Sequence, residues 1–208
     1  LIVVEKDAKL ANHLKKSFGS KIELINGDIL ELDENSLEKD CLTVFGNLPY
    51  NISTEILSRW ILNLKNDKFW FDYLILMFQK EVADRIISIS NSKHYGRLSV
   101  IANWKLDIKK ICDISPNSFF PKPKIDSSLL LFKPKKDFYI LNNSKSIEKI
   151  TRIFFMHRRK MIKKPYNQVF NGNISVANKL KITLNQRPQN LSIETYLRLA
   201  EEYEKLSS

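Results

Sequence analysis

Short, wholly apolar runs alternate along the chain with stretches in which apolar residues return every three or four positions. Leu1 to Val4 is the first such run and ends in Glu5. Ala8, Leu10, Ala11 and Leu14 follow at helical spacing, so strand then helix is predicted. Ile22 to Ile25 predicts a second strand, closed by the turn-forming Asn26-Gly27-Asp28. Leu42 to Phe45 predicts a third, buried strand that stops at Gly46. Ser53 or Thr54 then stands ready to cap a helix with Ile56, Leu57, Trp60, Ile61 and Leu64 on one face. Tyr73 to Phe78 reads as another strand. Fully apolar strands interleaved with amphipathic helices predict a parallel sheet covered on both faces, an α/β doubly wound architecture. Sheets of this kind bind ligands at the carboxyl ends of their strands, where Glu5, Asp28 and Asn47 fall.

Farther along, Lys105 to Ile111 and Ser127 to Phe132 predict an antiparallel hairpin at the sheet's edge, joined by a proline-containing loop. Beyond Pro134 the pattern turns helical, with Ile147, Ile150, Ile153 and Phe154 on one side of residues 144–159 and a further helix over 193–206. A boundary near Asp137 to Asn143 therefore divides an α/β part, residues 1–137, from a small C-terminal helical domain, residues 138–208.

Composition narrows the function classes. With 208 residues, 43% of them apolar, the chain can bury a genuine core. Its apolar runs are too short to cross a bilayer and no signal-peptide pattern opens it, so a soluble cytoplasmic protein is expected. Cys41 and Cys112 stand in apolar surroundings without a partner at metal-ligand spacing; both are expected to be buried free thiols, and no metal site is expected. The net charge of +11 favours a polyanionic partner. The excess is concentrated from Lys133 to Lys164, where eleven Lys or Arg face only Asp137 and Glu148.

Asn47-Leu48-Pro49-Tyr50, directly after a predicted strand, carries the sharpest chemical signal. The exocyclic amine of adenine is a poor nucleophile because its lone pair is delocalised into the ring. The Asn47 side-chain oxygen and the Leu48 carbonyl can accept its two N–H hydrogens, Pro49 stiffens the turn, and Tyr50 offers a ring for the base to stack on. Glu5 can accept from ribose hydroxyls, and Asp28 from a cofactor's adenine amine; each alone is equally a turn former or cap. Ser115 to Lys124 forms a stiff, basic, aromatic loop in which Phe119 or Phe120 can sandwich a flipped base against Tyr50, with Lys122 and Lys124 beside them. His157-Arg158-Arg159-Lys160 with Lys163 and Lys164 reads as a phosphate-binding cluster at a helix end, where cations also suit the helix dipole. His13, His94 and His157 are scattered and suggest no chemistry.

Six ordered segments closely resemble the KsgA family of ribosomal RNA adenine dimethyltransferases: Val4 to Asp7, Gly27-Asp28-Ile29, Gly46 to Thr54, Phe78 to Arg85, Phe119 to Ser127, and Phe155 to Lys160. The resemblance implies a Rossmann-like class I methyltransferase sheet with a helical RNA-binding domain. It also implies S-adenosylmethionine as methyl donor, S-adenosylhomocysteine as product, and two adjacent adenines near the 3′ end of small-subunit rRNA as substrate, met in a 30S precursor; the sequence itself does not give the oligomeric state, and a monomer is the expectation. By the same resemblance Glu5 and Lys6 lie at the cofactor ribose, Asp28 and Ile29 at its adenine, Asn47 with the Leu48 carbonyl at the target amine, and Tyr50 with Phe119 around the base. Arg158, Arg159, Lys160, Lys163 and Lys164 would face RNA.

The family opens with a glycine-rich loop that cradles the methionine end of the cofactor. Here the chain starts at Leu1, in what matches the second strand of the family sheet, and none of its five glycines forms such a loop. The expectation is a piece of a longer polypeptide that alone binds cofactor poorly. Two other readings share many of these features: a large-subunit rRNA methyltransferase of the antibiotic-resistance type, in which the turn usually reads Asn-Ile-Pro-Tyr, and a non-catalytic rRNA-binding assembly factor.

Overall fold

The computed structural model describes residues 1–37, 42–64 and 68–207, which fall into two compact units, Leu1–Asp40 and Cys41–Ser208. In the first unit, β1 (Ile2–Glu5) pairs in parallel with β2 (Glu23–Asn26), placing Glu5 opposite Asn26. The crossover between them is helix α1 (Ala8–Phe18), as a parallel pair requires. Asp7 caps it, accepting from the Lys9 and Leu10 amides at 2.8 and 3.0 Å. Gly19 ends it at φ 55°, a left-handed conformation that costs a residue without Cβ little.

The second unit is built on a four-stranded sheet ordered β3-β4-β6-β5, comprising β3 (Thr43–Gly46), β4 (Tyr73–Gln79), β5 (Leu106–Ile114) and β6 (Ser127–Pro134). β3 and β4 run parallel; β6 lies antiparallel between β4 and β5. The predicted hairpin is therefore present, with β5 as the edge. The sheet is mixed because the loop after β5 returns the chain antiparallel beside it, where a helical crossover would keep it parallel. The two interior strands share one fully buried face, carrying Leu74, Leu76 and Phe78 of β4 with Leu130 and Phe132 of β6. β3 departs from the expectation of a buried strand. It ends the ladder among the described residues, and Phe45 is 75% exposed. Cys112 also departs from expectation and is exposed. A register shift between Lys110 and Cys112 interrupts the alternation of the edge strand β5 and turns the side chain outward. Cys41 lies outside the described residues.

Helix α2 (Ser53–Leu62) buries Ile56, Leu57, Trp60 and Ile61, the face predicted from their spacing; Leu64 lies beyond its end. Its cap differs from expectation. Ile52 occupies the cap position, and Ser53, already helical, donates its hydroxyl to the Tyr50 carbonyl at 3.2 Å. Helix α3 (Lys80–Ile86) leaves the end of β4, and α4 (Arg97–Lys105) leads into β5. The C-terminal segment folds as α5 (Ser144–Phe155), α6 (Lys163–Phe170), α7 (Ile174–Lys179) and α8 (Ile193–Ser207). Ile147, Ile150 and Phe154 of α5 are fully buried, and Ile153 packs at the margin of the same core. That core also takes in Tyr95 and, from α4, Val100 and Trp104, so helices on both sides of residues 137–143 share one apolar interior. Each such side chain removed from water contributes about 1.5–3 kcal/mol. Glu204 of α8 accepts from the Asn142 and Asn143 amides at 3.1 and 2.9 Å, tying the incoming loop to the last helix.

Candidate active site and nucleic-acid surface

In the first unit the carboxyl ends of the two parallel strands carry the acidic pair. Glu5 Oε1 accepts from the Asp7 amide at 2.7 Å, which orients the carboxylate beyond the strand end. Asp28 Oδ1 accepts from the Leu30 amide at 2.9 Å, and Oδ2 from Lys6 Nζ at 2.6 Å. The hydrogen bond to Asp28, and then its charge, raise the Lys6 pKa above the ordinary lysine range. Asp28 thus forms the turn that its neighbours suggested and is also joined to Lys6, a contact the sequence does not announce. Ile29 beside it is half-buried. The acceptor set suits an adenosine-like group: a carboxylate offers about four lone-pair positions, of which the Asp7 amide uses one on Glu5, so Glu5 keeps acceptors for ribose hydroxyls.

In the second unit, Asn47, Leu48, Pro49 and Tyr50 leave the end of β3 in a turn closed by the Ile52 and Ser53 amides donating to the Pro49 carbonyl at 3.1 and 3.0 Å. Gly46 stands just before it, close against the sheet. A Cβ there would lie 2.7 Å from Leu76 Cδ2, inside the sheet's packed face. The Asn47 side chain is exposed and makes no hydrogen bond among the described residues, leaving its amide oxygen available as an acceptor. Tyr50 is half-buried, and its hydroxyl is 2.6 Å from Ser127 Oγ.

The loop between β5 and β6 starts with Ser115 accepting from the Asn117 amide and runs through a short helical turn at Pro116–Ser118. Phe119 is half-buried and Phe120 is entirely exposed. Lys122 and Lys124 are exposed beside them. A polar chain fastens the stems of this loop. Ser128 donates to Asp113 Oδ1 at 2.6 Å, Lys80 donates to Asp113 Oδ2 at 2.7 Å, and the Lys80 amide donates to the Asp126 carbonyl at 2.9 Å. The hydrogen bond from Lys80, followed by those from Ser128 and Lys110, holds the Asp113 carboxyl far below the usual carboxylate range.

The basic cluster divides. Arg159, Lys160, Lys163 and Lys164 are exposed and, together with Arg187 from far downstream, line a shallow hollow of about 980 Å³. Arg158 instead turns inward and donates its guanidinium to the carbonyls of Ser92 and Lys93. The placement of the cluster also differs from expectation. α5 ends at Phe155, before the first of these cations, and Lys163 and Lys164 open α6. Positive charge there opposes the helix dipole, so local helix stability does not account for them.

A second cavity, of about 940 Å³, opens among α2, α4 and α5, where Arg59, Arg85, Lys93, Arg97 and Lys145 outnumber Glu55 and Glu148. Arg97 is paired with Glu148 at 2.8 Å. With Arg158, which also lines this cavity, its cations come from five separate segments, so no single run in the sequence marked it. Among the described residues, no group of three or more His, Cys, Asp or Glu is placed to hold a metal ion, and no helix is long and apolar enough to cross a membrane.

Comparison with known proteins matches this arrangement. The family model described as ribosomal RNA adenine dimethylase matches residues 1–205. A protein from Pelagibacter ubique (strain HTCC1062) named ribosomal RNA small subunit methyltransferase A is 61% identical over 206 residues, covering 99% of this chain and 78% of that protein. The protein of the same name from Wolbachia sp. subsp. Drosophila simulans (strain wRi) is 40% identical over 209 residues, covering 99% and 75%. Among solved structures, a dimethyladenosine transferase from Plasmodium falciparum superposes with a TM-score of 0.77 at 22% identity, over 99% of this chain and 82% of that one. The 23S rRNA methyltransferase ErmE superposes with a TM-score of 0.64 at 19% identity, over 100% and 82%. At such identities the two structures speak for the fold alone, a Rossmann-like methyltransferase fold; the sequence matches go further, and by them the chain belongs to the ribosomal RNA adenine dimethylase family.

Proposed function

We propose that this chain transfers methyl groups from S-adenosylmethionine to N6 of two adjacent adenines near the 3′ end of small-subunit rRNA, acting in the cytoplasm as a monomer on a 30S precursor. The observation that carries the reading is the turn after β3, where an exposed, unengaged Asn47 amide stands three residues from an anchored tyrosine ring. The bound cofactor supplies a methyl group already activated by a sulfonium charge. The protein's part is then positioning, which supplies a large share of a barrier of this kind. The Asn47 amide oxygen and the Leu48 carbonyl accept the two N6 hydrogens and orient the nitrogen lone pair. Tyr50 and Phe119 hold the extruded base by its faces. Glu5 and Lys6 serve the cofactor ribose, and Asp28 and Ile29 its adenine.

Lys122, Lys124, Arg159, Lys160, Lys163 and Lys164 bind RNA phosphates in this proposal, while Arg158 supports that surface through the Ser92 and Lys93 carbonyls. Residues 1–137 act as the catalytic domain and 138–208 as the RNA-binding domain. The small subunit is favoured over the large one because the relative at 61% identity is named for small-subunit methylation.

Asn47→Ala tests the proposal. Its expected effect is loss of methyl transfer by at least about a hundredfold, the scale of removing one positioned polar group, with affinity for 30S particles unchanged. Full activity of the variant overturns the assignment. Equal loss of binding and transfer points to an assembly factor in which the turn is only a contact surface.

A further inference from the structure

Tyr50 is held from behind. Its hydroxyl meets Ser127 Oγ at 2.6 Å across 77 positions of sequence. Ser127 is fully buried and opens β6 between Gln79 and Ile114. It is also the residue at which the loop carrying Phe119 rejoins the sheet. Successive side chains of a strand point to opposite faces; Ser127 thus reaches Tyr50 while Ser128, on the other face, is bonded to Asp113 and through it to Lys80. The start of β6 is pinned on both faces, and one of the two pins is the phenol of the base-stacking tyrosine.

We infer that Ser127 is a positioning residue whose hydroxyl fixes the Tyr50 ring relative to the Phe119 loop, setting the width of the slot that receives the target adenine. The inference rests on the base-holding role proposed for Tyr50. A phenol bonded at its far end loses its freedom to swing about its side-chain torsions. Because the anchor is the loop's own stem, ring and loop keep one spacing. Misplacement of about 1 Å in such a constellation can cost up to a hundredfold in rate, so a modest part of that is expected when one hydrogen bond is removed.

The test is a double-mutant cycle in the full-length protein with 30S particles as substrate, using Ser127→Ala, Tyr50→Phe and the pair together. Each single variant is expected to lower kcat about five- to twentyfold, with the Kd for 30S particles unchanged and the pair no worse than the poorer single variant. Multiplicative losses, or wild-type kcat in Tyr50→Phe, would overturn the inference. Should Ser127→Ala fail to fold, Tyr50→Phe decides alone, since it removes the same bond from a half-buried partner and leaves no cavity. Tyr50→Ala separates the two levels of the argument. Full activity in it defeats the base-holding role together with this inference; inactivity in it beside a fully active Tyr50→Phe defeats the inference only.

Discussion

Asp113 shows how much of a site's order can rest on one carboxylate. Lys80, Ser128 and Lys110 all donate to it, at 2.7, 2.6 and 3.2 Å, and depress its pKa. A group whose folded pKa lies below its unfolded value stabilises the fold fully above the unfolded pKa, and the contribution disappears as pH falls through the folded one. Asp113→Asn is therefore expected to lower Tm at neutral pH. Its deficit should shrink only below pH 3.8, the ordinary value for this carboxyl. Thermal melts of both proteins across acid pH check this, and a deficit that already disappears between pH 5 and 6 would contradict it. The residue scale is also where sequence served best and worst. Asn47 was legible because its neighbours Pro49 and Tyr50 and the apolar run before them say turn and ring within a few positions. Ser127 and Asp113 were not, because their partners stand 77 and 33 positions away and a lone serine in a strand has no pattern. The contacts of Arg158 with the Ser92 and Lys93 carbonyls were not legible, since a row of basic residues does not reveal which member folds back onto carbonyls.

Among the elements, α6 carries a conflict that separates stability from function. Lys163 and Lys164 occupy its first turn, where the helix dipole repels them, and both are exposed. Replacing both with glutamate should leave Tm unchanged or raise it, each change being worth about 0.3–1 kcal/mol in favour of the helix. The same variant should bind 30S particles more weakly. Unfolding and binding measurements on one preparation read both signs; a loss of stability without loss of affinity would reverse the assignment. Periodicity predicted β1 to β6 and α1, α2, α5 and α8 because their apolar stripes are long enough to register. The short helices α3, α4, α6 and α7 escaped. Val100, Ala102 and Trp104 of α4 are buried on several sides, leaving no polar face to betray a period. The expected burial of β3 failed for a different reason: apolar content does not distinguish an interior strand from the end of a ladder, and Phe45 faces outward.

For the molecule as a whole, the +11 charge becomes a measurable slope. If Lys122, Lys124, Arg159, Lys160, Lys163, Lys164 and Arg187 each neutralise one phosphate, log K should fall with log salt at a slope of about −5 to −6. Affinity for rRNA would then drop roughly tenfold or more for each doubling of salt. Titrations at several ionic strengths give the number, and Arg187→Ala should lower the slope by about one. A slope near zero would remove phosphate contact from the account. Composition made the polyanion legible; it could not show that Arg187 joins the cluster, because that meeting is made by the fold.

Tyr95, Val100 and Trp104 lie in the same interior as α5 and α8, so the C-terminal helices are mortised to α4, the helix that leads into β5, rather than hung from it by a tether. Such a body works as a caliper. On the roles proposed above, the span from the phosphate-binding cations to the base-receiving turn is a fixed length, and that proposal has an RNA accepted when its own folding presents an adenine at that distance.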